Sequence, residues 1–213
     1  VKRVERSTIA AFIEKWHYSG SINGCVADYC FALYDKNVMI GAMFYGRMAM
    51  AGQWRRFAQK ESDVIELRRL CCVDATPKNT ESFFIGATLR WLSRNTTHKV
   101  VVSYADAEHG HTGVIYRASN FVLEGRRPGA KVIQYQGKRY HDKSIRSKYN
   151  GNLKPFARRL IQALQTGEAT YEKTAGKFCY TFALRGARRP KQLGQSALPF
   201  EVAETEKSNE VLL

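Results

Sequence analysis

The chain has 213 residues, of which 44% are hydrophobic, and its eleven Tyr, eleven Phe and three Trp exclude a disordered protein. The formal net charge of +15 predicts an anionic partner, and nucleic acid is the usual one for so basic a domain. No apolar run approaches the roughly 18 residues of a membrane span, so we expect no membrane partner. Five cysteines, without a Cys-x-x-Cys pair, favour reduced thiols in a cytosol over a disulfide framework.

Hydrophobic periodicity predicts helices and strands in alternation along the first half of the chain. A helix is expected from Ser7 to Trp16, with a Ser or Thr cap. Two short apolar runs around a turn at 35–37 predict a β-hairpin. The remaining predicted elements of this half are the hairpin strands 27–33 and 38–44, an irregular segment 46–59, a strand over 64–73 and an amphipathic helix over 80–94.

The second half begins with a β-branched run at 100–102, which predicts a buried strand. A loop and a short helix from 113 to 120 follow it. Residues 186–213 are rich in charge, Pro and Gly, so we expect a flexible tail after a single domain over 1–185. Between these lie predicted strands at 121–123 and 131–135, a polar, turn-rich segment 138–152, a helix over 155–165 and a terminal strand over 178–184.

Polar groups are concentrated between the buried strand and the short helix, where α/β proteins tend to place their sites. Asp106 can act as a base or orient one, or it can simply cap the following turn. His109 and His111 can transfer protons. They could also bind a metal together with Asp106, but no further residue completes a recognisable ligand set.

The segment Gly-Val-Ile-Tyr-Arg-Ala-Ser-Asn-Phe at 113–121 resembles the last conserved helix of the GNAT acyltransferases, where Leu-Tyr-x-x-x-Gly-Phe is common. Asn120 stands in the usual place of the Gly. The longer pattern Tyr-Ala-Asp-x-x-His-Gly-His-Thr-Gly-x-Ile-Tyr-x-Ala-x-Asn-Phe is similar to the Mom family of phage DNA-modification proteins. Trp-His-Tyr-Ser at 16–19 and Glu-Leu-Arg-Arg-Leu at 66–70 fit the same family, so the resemblance covers about residues 7–185.

This resemblance implies an α/β, GNAT-like single domain whose mixed, mostly antiparallel sheet is flanked by helices. It implies an enzyme that converts adenine in DNA to N6-carbamoylmethyladenine and so protects phage DNA from restriction. Such an enzyme would work in the cytoplasm of the infected bacterial host. Tyr116 matches the GNAT tyrosine that often protonates the leaving group. The candidate catalytic residues are Ser103, Asp106, His109, His111, Tyr116 and Glu66.

The strand at 64–73 leads to the segment in which GNAT proteins bind the pyrophosphate of coenzyme A. One of Arg68 and Arg69 is expected to point into the site or to pair with Glu66. The segment 73–83 contains no glycine, and Pro77 removes one N–H donor, which argues against ordinary coenzyme A binding. The candidate cofactor-binding residues are Arg68, Arg69, Lys78, Asn79 and Thr80.

The segment 126–159 holds eleven basic residues and a single acid, Asp142, with three tyrosines interleaved. Basic side chains neutralise phosphates, and aromatic rings stack on exposed bases, so this segment is predicted to bind nucleic acid. An enzyme acting on adenine must also hold a base that is flipped out of the duplex. The candidate nucleic-acid-binding residues are His17, Tyr45, Trp54, Arg55, Arg56, Arg126, Arg127, Lys138, Arg139 and Tyr149.

The donor follows from counting atoms in the implied product. The carbamoylmethyl group contains two carbons, one oxygen and one nitrogen, which a glycyl group supplies and an acetyl group does not. Glycyl-tRNA is therefore the favoured donor, with tRNA as a second nucleic-acid partner, and acetyl-CoA is the alternative. Two other functions remain open: a nucleic-acid-binding protein without catalysis, and a GNAT N-acetyltransferase acting on an amine outside DNA.

Overall fold

The computed structural model describes residues 1–184, which form four α-helices and twelve β-strands. The helices are α1 (Arg6–Trp16), α2 (Thr80–Asn95), α3 (Val114–Ala118) and α4 (Pro155–Thr166). The strands are β1 (Lys2–Val4), β2 (Tyr29–Asp35), β3 (Val38–Gly46), β4 (Val64–Cys72), β5 (Val100–Asp106), β6 (Val122–Arg127), β7 (Lys131–Tyr135), β8 (Lys138–His141), β9 (Lys148–Tyr149), β10 (Asn152–Leu153), β11 (Thr170–Lys173) and β12 (Lys177–Ala183).

Seven strands form the main sheet, in the order β1-β2-β3-β4-β5-β12-β6. Every neighbouring pair is antiparallel except β4 and β5, which are parallel. The α/β fold with a mixed, mostly antiparallel sheet flanked by helices is therefore confirmed. None of the helices within residues 1–184 is both long enough and apolar enough to cross a membrane.

Strand alternation sends neighbouring side chains to two separate cores. On one face α2 and α3 pack against β2, β3, β4, β5 and β12, and the buried side chains include Phe84, Leu89 and Tyr116. On the other face α1 buries Ile9 and Ile13 against the first strands of the sheet. The helices on both faces follow from the apolar periodicity of their sequences.

The predicted strands and helices of the main sheet are present, with small shifts at their ends. The helix predicted from Ser7 begins one residue earlier, and its N-cap position is Glu5, without a side-chain cap hydrogen bond. The expected Ser or Thr cap is therefore wrong. The short β1 was not predicted. Asn120 lies just after α3 with a φ of 62°, a left-handed conformation that Asn tolerates better than most residues, which explains why it can replace Gly there.

Residues 128–176 form an insertion between β6 and β12, which would otherwise be adjacent strands of a hairpin. Its three-stranded sheet, β11-β7-β8, packs against α4 through a small core of its own. The segment 138–152, predicted to be turn-rich, contains β8, a 3-10 turn over Asp142–Arg146 and the β9–β10 pair. Strands β8, β9, β10 and β11 were also not predicted. The predicted flexible tail lies outside the described residues.

Candidate active site

The parallel strands β4 and β5 separate in the middle of the main sheet. They are paired only from Val64 and Val100 to Leu67 and Ser103, although β4 continues to Cys72. Ser103, at the fork, is fully buried and donates a hydrogen bond from Oγ to the Leu67 carbonyl oxygen at 3.2 Å. Beyond this pair the backbone of β4 has no strand partner on its β5 side among residues 1–184. The sheet therefore contains an opening that side chains from both faces can line.

Tyr116 approaches this opening from the α2–α3 face. Its ring is only 8% exposed and lies 5.5 Å from the Phe121 ring and 5.3 Å from the Tyr180 ring, measured between centroids. Burial raises the pKa of Tyr116 to about 12, against the effect of a hydrogen bond with Ser103. Tyr18 and Glu66 are close enough to raise this pKa further. The phenol therefore keeps its proton at neutral pH.

Gly113 determines how α3 and Tyr116 are placed. It has a φ of 80°, and a Cβ atom at this position would lie 2.3 Å from Cε2 of Tyr180. The Tyr180 hydroxyl donates a hydrogen bond to the Thr112 carbonyl oxygen at 2.5 Å. The start of α3 is thus fixed against β12 by a ring that only glycine can accommodate.

Glu66 lies on β4 on the opposite face of the sheet and is almost fully buried. Burial raises the pKa of its carboxyl group, although Arg68 and a hydrogen bond from the Ala49 N–H, at 3.2 Å, counteract the increase. Arg68 Nε lies 3.6 Å from Glu66 Oε1, so of the two expected alternatives, an arginine that points into the site or one that pairs with Glu66, the second is confirmed. Arg69 instead donates hydrogen bonds to Ser19 Oγ at 3.1 Å and to the Arg68 carbonyl oxygen at 2.8 Å. Both predicted cofactor-binding arginines therefore already have partners within the protein.

The motif at the end of α1 brings an imidazole and a phenol to the same opening. His17 is buried, and its Nδ1 accepts a hydrogen bond from the Ser19 N–H at 3.1 Å, which places the proton of the neutral ring on Nε2. Burial, followed by the charges of Arg69 and the neighbouring His111, lowers the pKa of His17 to about 4. His17 is therefore neutral at pH 7.

Tyr18 was not among the residues singled out from the sequence, yet it connects the two predicted parts of the site. Its ring centroid lies 4.3 Å from that of His17, 4.3 Å from that of His109 and 5.2 Å from that of His111. The side chain remains 47% exposed. The signal that could have identified it was its position inside the Trp-His-Tyr-Ser motif.

Asp106, the last residue of β5, is held by three groups. Its Oδ2 lies 3.0 Å from Lys177 Nζ, while Oδ1 accepts a hydrogen bond from the Glu108 N–H at 3.2 Å and lies 3.8 Å from His109 Nδ1. Burial raises the pKa of Asp106, but the hydrogen bond and charge of Lys177 outweigh it and the net pKa is lowered. Asp106 both caps the 3-10 turn Ala107–His109 and supplies a fixed negative charge.

The same geometry does not favour the metal option. The Tyr18 ring contacts both histidine rings, whose centroids are 6.5 Å apart. Within residues 1–184, no group of three or more His, Cys, Asp or Glu side chains is arranged to hold a metal ion. The loop therefore supports proton transfer and ring stacking better than metal binding.

A cavity of about 300 Å³ lies beside Tyr116, at the lower end of the usual size for small-molecule sites. It is bounded by the loop before α3 and by Glu81 in the first turn of α2, a carboxylate that disfavours a phosphate at the same helix end. Asn79 precedes the helix with a φ of 70°, and the Thr80 hydroxyl donates to the Pro77 carbonyl oxygen at 2.6 Å. The predicted residues Lys78, Asn79 and Thr80 lie at the helix start as expected, but in surroundings poorly suited to pyrophosphate.

Tyr45 cannot stack on a flipped base, and this prediction is wrong. The side chain is 0% exposed on the α2 face of the sheet, and its hydroxyl lies 2.8 Å from Thr88 Oγ1. Trp54 is half-buried in a 3-10 turn over Gln53–Arg56, where the Arg55 guanidinium lies 4.8 Å from the centroid of its ring. Arg55 and Arg56 are exposed.

The basic segment is divided between structural and free side chains. Arg126 donates to the Ala175 carbonyl oxygen at 2.6 Å, Arg127 to Cys179 Sγ at 3.9 Å, and Arg139 pairs with Glu108 and Glu172. Tyr149 is 72% exposed. The exposed basic residues of this segment that form no ion pair within residues 1–184 are Arg126, Lys131, Lys138, Lys143, Lys148, Lys154, Arg158 and Arg159.

Comparison with solved structures found low similarity to acetyltransferases. A ribosomal-protein-S5-alanine acetyltransferase from Vibrio fischeri is 10% identical, with a TM-score of 0.44, over 75% of this chain and 63% of its own, so the chain spans less than two thirds of that protein. An acetyltransferase of the GNAT family from Streptococcus pneumoniae is 8% identical, with a TM-score of 0.40, over 73% and 66%. A Bacillus subtilis acetyltransferase in complex with CoA is 7% identical, with a TM-score of 0.41, over 84% of each chain.

Comparison with curated protein sequences found no match. The family comparison covers nearly the whole chain, including the motif at the end of α1, strand β4 and the loop before α3. The model of the Mom protein family matches residues 1–201, and the chain therefore belongs to that family.

Proposed function

We propose that this protein is an acyltransferase that modifies the amino group of adenine in DNA, giving N6-carbamoylmethyladenine in the cytoplasm of a phage-infected bacterium. The observation that carries the proposal is the opening between β4 and β5. A protonated Tyr116 lies on one side of it, and Glu66 and Tyr18 lie on the other. Acyl transfer to an amine requires a proton donor for the leaving group and an acceptor for the amine proton, and these residues provide both.

Each side chain has a distinct task in this reaction. Adenine N6 attacks the acyl carbon, and Glu66, whose pKa is raised by burial, accepts the proton that N6 loses. The bond from the acyl carbon to the leaving oxygen or sulfur then breaks, and Tyr116 gives its proton to that atom. Asp106 is a weaker base than Glu66, because the pKa of Asp106 is lowered and that of Glu66 is raised. We therefore assign Asp106 a different task, which is to orient the loop and to hold Lys177 beside the site.

Adenine must leave the duplex before N6 can reach the opening. The Tyr18 ring lies between the rings of His17 and His109, so a flipped base can stack on the exposed His109 ring and contact the exposed edge of Tyr18. Stacking on an aromatic side chain contributes about 1–3 kcal/mol per base, which offsets part of the cost of unstacking. Neutral His17 leaves its Nε2–H as a hydrogen-bond donor near the Tyr18 ring.

Glycyl-tRNA is the donor in this proposal. The carboxylate of Glu81 and the absence of glycine before α2 disfavour the pyrophosphate of coenzyme A, whereas an aminoacyl ester needs no such site. Transfer of the glycyl group gives N6-glycyladenine and a free tRNA 3′ end. The glycyl amine then attacks C6 through a five-membered ring, and the bond from C6 to the amide nitrogen breaks. The product is an isomer, N6-carbamoylmethyladenine, so no oxidant, reductant or nitrogen source is required.

The test uses purified protein, duplex DNA and glycyl-tRNA labelled with ¹³C and ¹⁵N. Mass spectrometry of the digested nucleosides should find one modified deoxyadenosine carrying both glycine carbons and the glycine nitrogen. Unlabelled acetyl-CoA should not dilute the label. Incorporation from labelled acetyl-CoA but not from glycyl-tRNA would refute glycyl-tRNA as the donor and retain the proposed modification of adenine. Unmodified DNA with every donor would refute the modification itself.

The exposed basic residues at the start of α4, Lys154, Arg158 and Arg159, should bind the phosphate backbone. Reversing Lys154, Arg158 and Arg159 to Glu should weaken DNA binding and reduce the slope of log affinity against log salt by about one unit per lost phosphate contact. Arg146, which pairs with Asp142 at 3.0 Å, provides a matched control on the same insertion. A triple variant with an unchanged salt slope would place the DNA elsewhere.

A further inference from the structure

The small sheet of the insertion has two unlike faces. Ile133 and Tyr140 point toward α4 and form the core of the insertion. The paired residues Gln134 and Arg139 lie on the other face, together with Glu172 of β11. Gln134 Nε2 donates a hydrogen bond to Glu172 Oε2 at 2.6 Å, and Arg139 Nη2 lies 3.7 Å from the same oxygen. This second face carries a hydrogen-bonded network instead of an apolar core.

Arg139 extends this network to the active-site loop. While one nitrogen of its guanidinium faces Glu172, Nη1 donates a hydrogen bond to Glu108 Oε1. Glu108 belongs to the 3-10 turn Ala107–His109, directly after β5. One planar guanidinium therefore joins the insertion to the turn that carries His109, in a geometry suited to arginine.

The orientation of that turn determines two parts of the site. The Glu108 N–H donates to Asp106 Oδ1, and the His109 ring lies against the Tyr18 ring at a centroid distance of 4.3 Å. The turn is followed by Gly110, with a φ of 72°, and within residues 1–184 no atom lies within 4 Å of where its Cβ would be. Glu108, His109 and Gly110 are all exposed, so a contact from the insertion can restrict the conformations of this turn.

We propose that Arg139 is a positioning residue, which holds the Ala107–His109 turn so that Asp106 and the His109–Tyr18 pair keep their geometry while the insertion carries nucleic acid. The inference rests on the proposed function. An exposed ion pair contributes little to folding stability, so Arg139 should affect the reaction rate more than the unfolding transition. A larger effect on rate than on stability distinguishes Arg139 from a purely structural residue. Its ion pairs with Glu108 and Glu172 distinguish it from a residue that only contacts phosphate.

The test is a charge exchange between the partners. Arg139→Glu and Glu108→Arg should each lower the single-turnover rate of modification at saturating DNA by about tenfold or more, because small misplacements of reacting groups are costly. The double variant should recover the rate, since the ion pair is restored in reverse. Lys173→Glu, an equal charge change on the same small sheet, is the control and should leave the rate at saturating DNA unchanged. Failure of the double variant to recover would overturn the proposal.

A second measurement does not depend on modification activity. Hydrogen exchange of the Glu108 and His109 amides should accelerate in Arg139→Glu, return toward the wild-type rate in the double variant and stay unchanged in Lys173→Glu. Accelerated exchange in a protein that modifies no DNA would refute the proposed function while keeping the positioning role. Unchanged exchange, or an effect of Arg139→Glu on KM and salt dependence alone, would make Arg139 a nucleic-acid contact instead.

Discussion

Replacing Tyr116 with Phe removes one hydroxyl group and leaves the ring in its contacts with Phe121 and Tyr180. The folded protein loses the hydrogen bond with Ser103, a loss of about 1 kcal/mol. For a chain of this length, that corresponds to a decrease in Tm of about 2–4 °C. The variant should therefore remain folded under assay conditions.

The effect on the reaction should be much larger than the effect on stability. A well-placed proton donor contributes about 10²–10⁴ to the rate, which corresponds to about 3–5 kcal/mol of activation free energy. The pKa of about 12 means that Tyr116 in the wild type is protonated throughout the pH range of an assay. Tyr116→Phe should consequently lower the rate by a similar factor at pH 6, 7 and 8.

Tyr45→Phe is the matched control. It removes a hydroxyl from the same core, where the Tyr45 oxygen lies 2.8 Å from Thr88 Oγ1. Single-turnover rates by nucleoside mass spectrometry and thermal unfolding should be measured for both variants. Comparable Tm shifts with a rate loss only in Tyr116→Phe support the general acid. Equal rates in both variants, or equal losses in both, would refute that role.

Three further predictions concern the surroundings of the site. Asp106→Ala should lower the rate by about 10²–10³ in the same assay while leaving the protein folded, because its charge is preorganised; full activity would make it a turn cap only. Gly113→Ala should lower the urea midpoint by more than Gly110→Ala, because a Cβ at Gly113 meets the Tyr180 ring, whereas a Cβ at Gly110, which has a similar φ, meets no atom of residues 1–184 within 4 Å. The difference in unfolding free energy between the two variants should be about 1–3 kcal/mol, and equal costs would contradict the steric argument. The pKa of His17 is about 4 in the folded protein, below its unfolded value of 6.5. Because the unfolded chain therefore binds the proton at a higher pH, the free energy of unfolding decreases as the pH falls from 6.5 to 4. Between pH 7 and 5 the loss should be about 1–2 kcal/mol after solvent screening, and His17→Asn should remove it in urea titrations.

The main sheet could be predicted because its elements carry strong local patterns. Strand β4 and the helix α2 that packs on the sheet differ from prediction by one residue at one end, and outside the main sheet the strand Lys131–Tyr135 has the predicted bounds. The strands Lys2–Val4 and Thr170–Lys173 were missed because they are short and mostly exposed. Such strands form only because they can pair with the exposed edge of another strand, here β2 and β7. A local sequence pattern does not show whether such an edge is nearby.

The site was predictable in its chemistry more than in its arrangement. The charged residues on a buried strand predicted that one of Arg68 and Arg69 would point into the site or pair with Glu66, but not that Arg68 would be the partner. Tyr45 was misplaced because its sequence neighbours do not reveal which face of the sheet it occupies. That face depends on how the sheet packs: β3 alternates regularly, and Met43 and Tyr45 both enter the core beneath α2 while Phe44 enters the core beneath α1. Arg139 resembles the other basic residues of its segment until the fold brings Glu108 beside it.

The two ends of the insertion leave the main sheet side by side. Arg127 and Lys177 are directly paired, and Gly129 approaches the Thr174 carbonyl so closely that a Cβ would overlap it. The hairpin is thus closed before the inserted chain begins, and doubling a loop adds only about 0.6 kcal/mol to the entropy of closure. The main sheet places little constraint on what is inserted at this position. Relatives could exchange this segment for another, and so present a different surface beside the site, while keeping the same opening between β4 and β5.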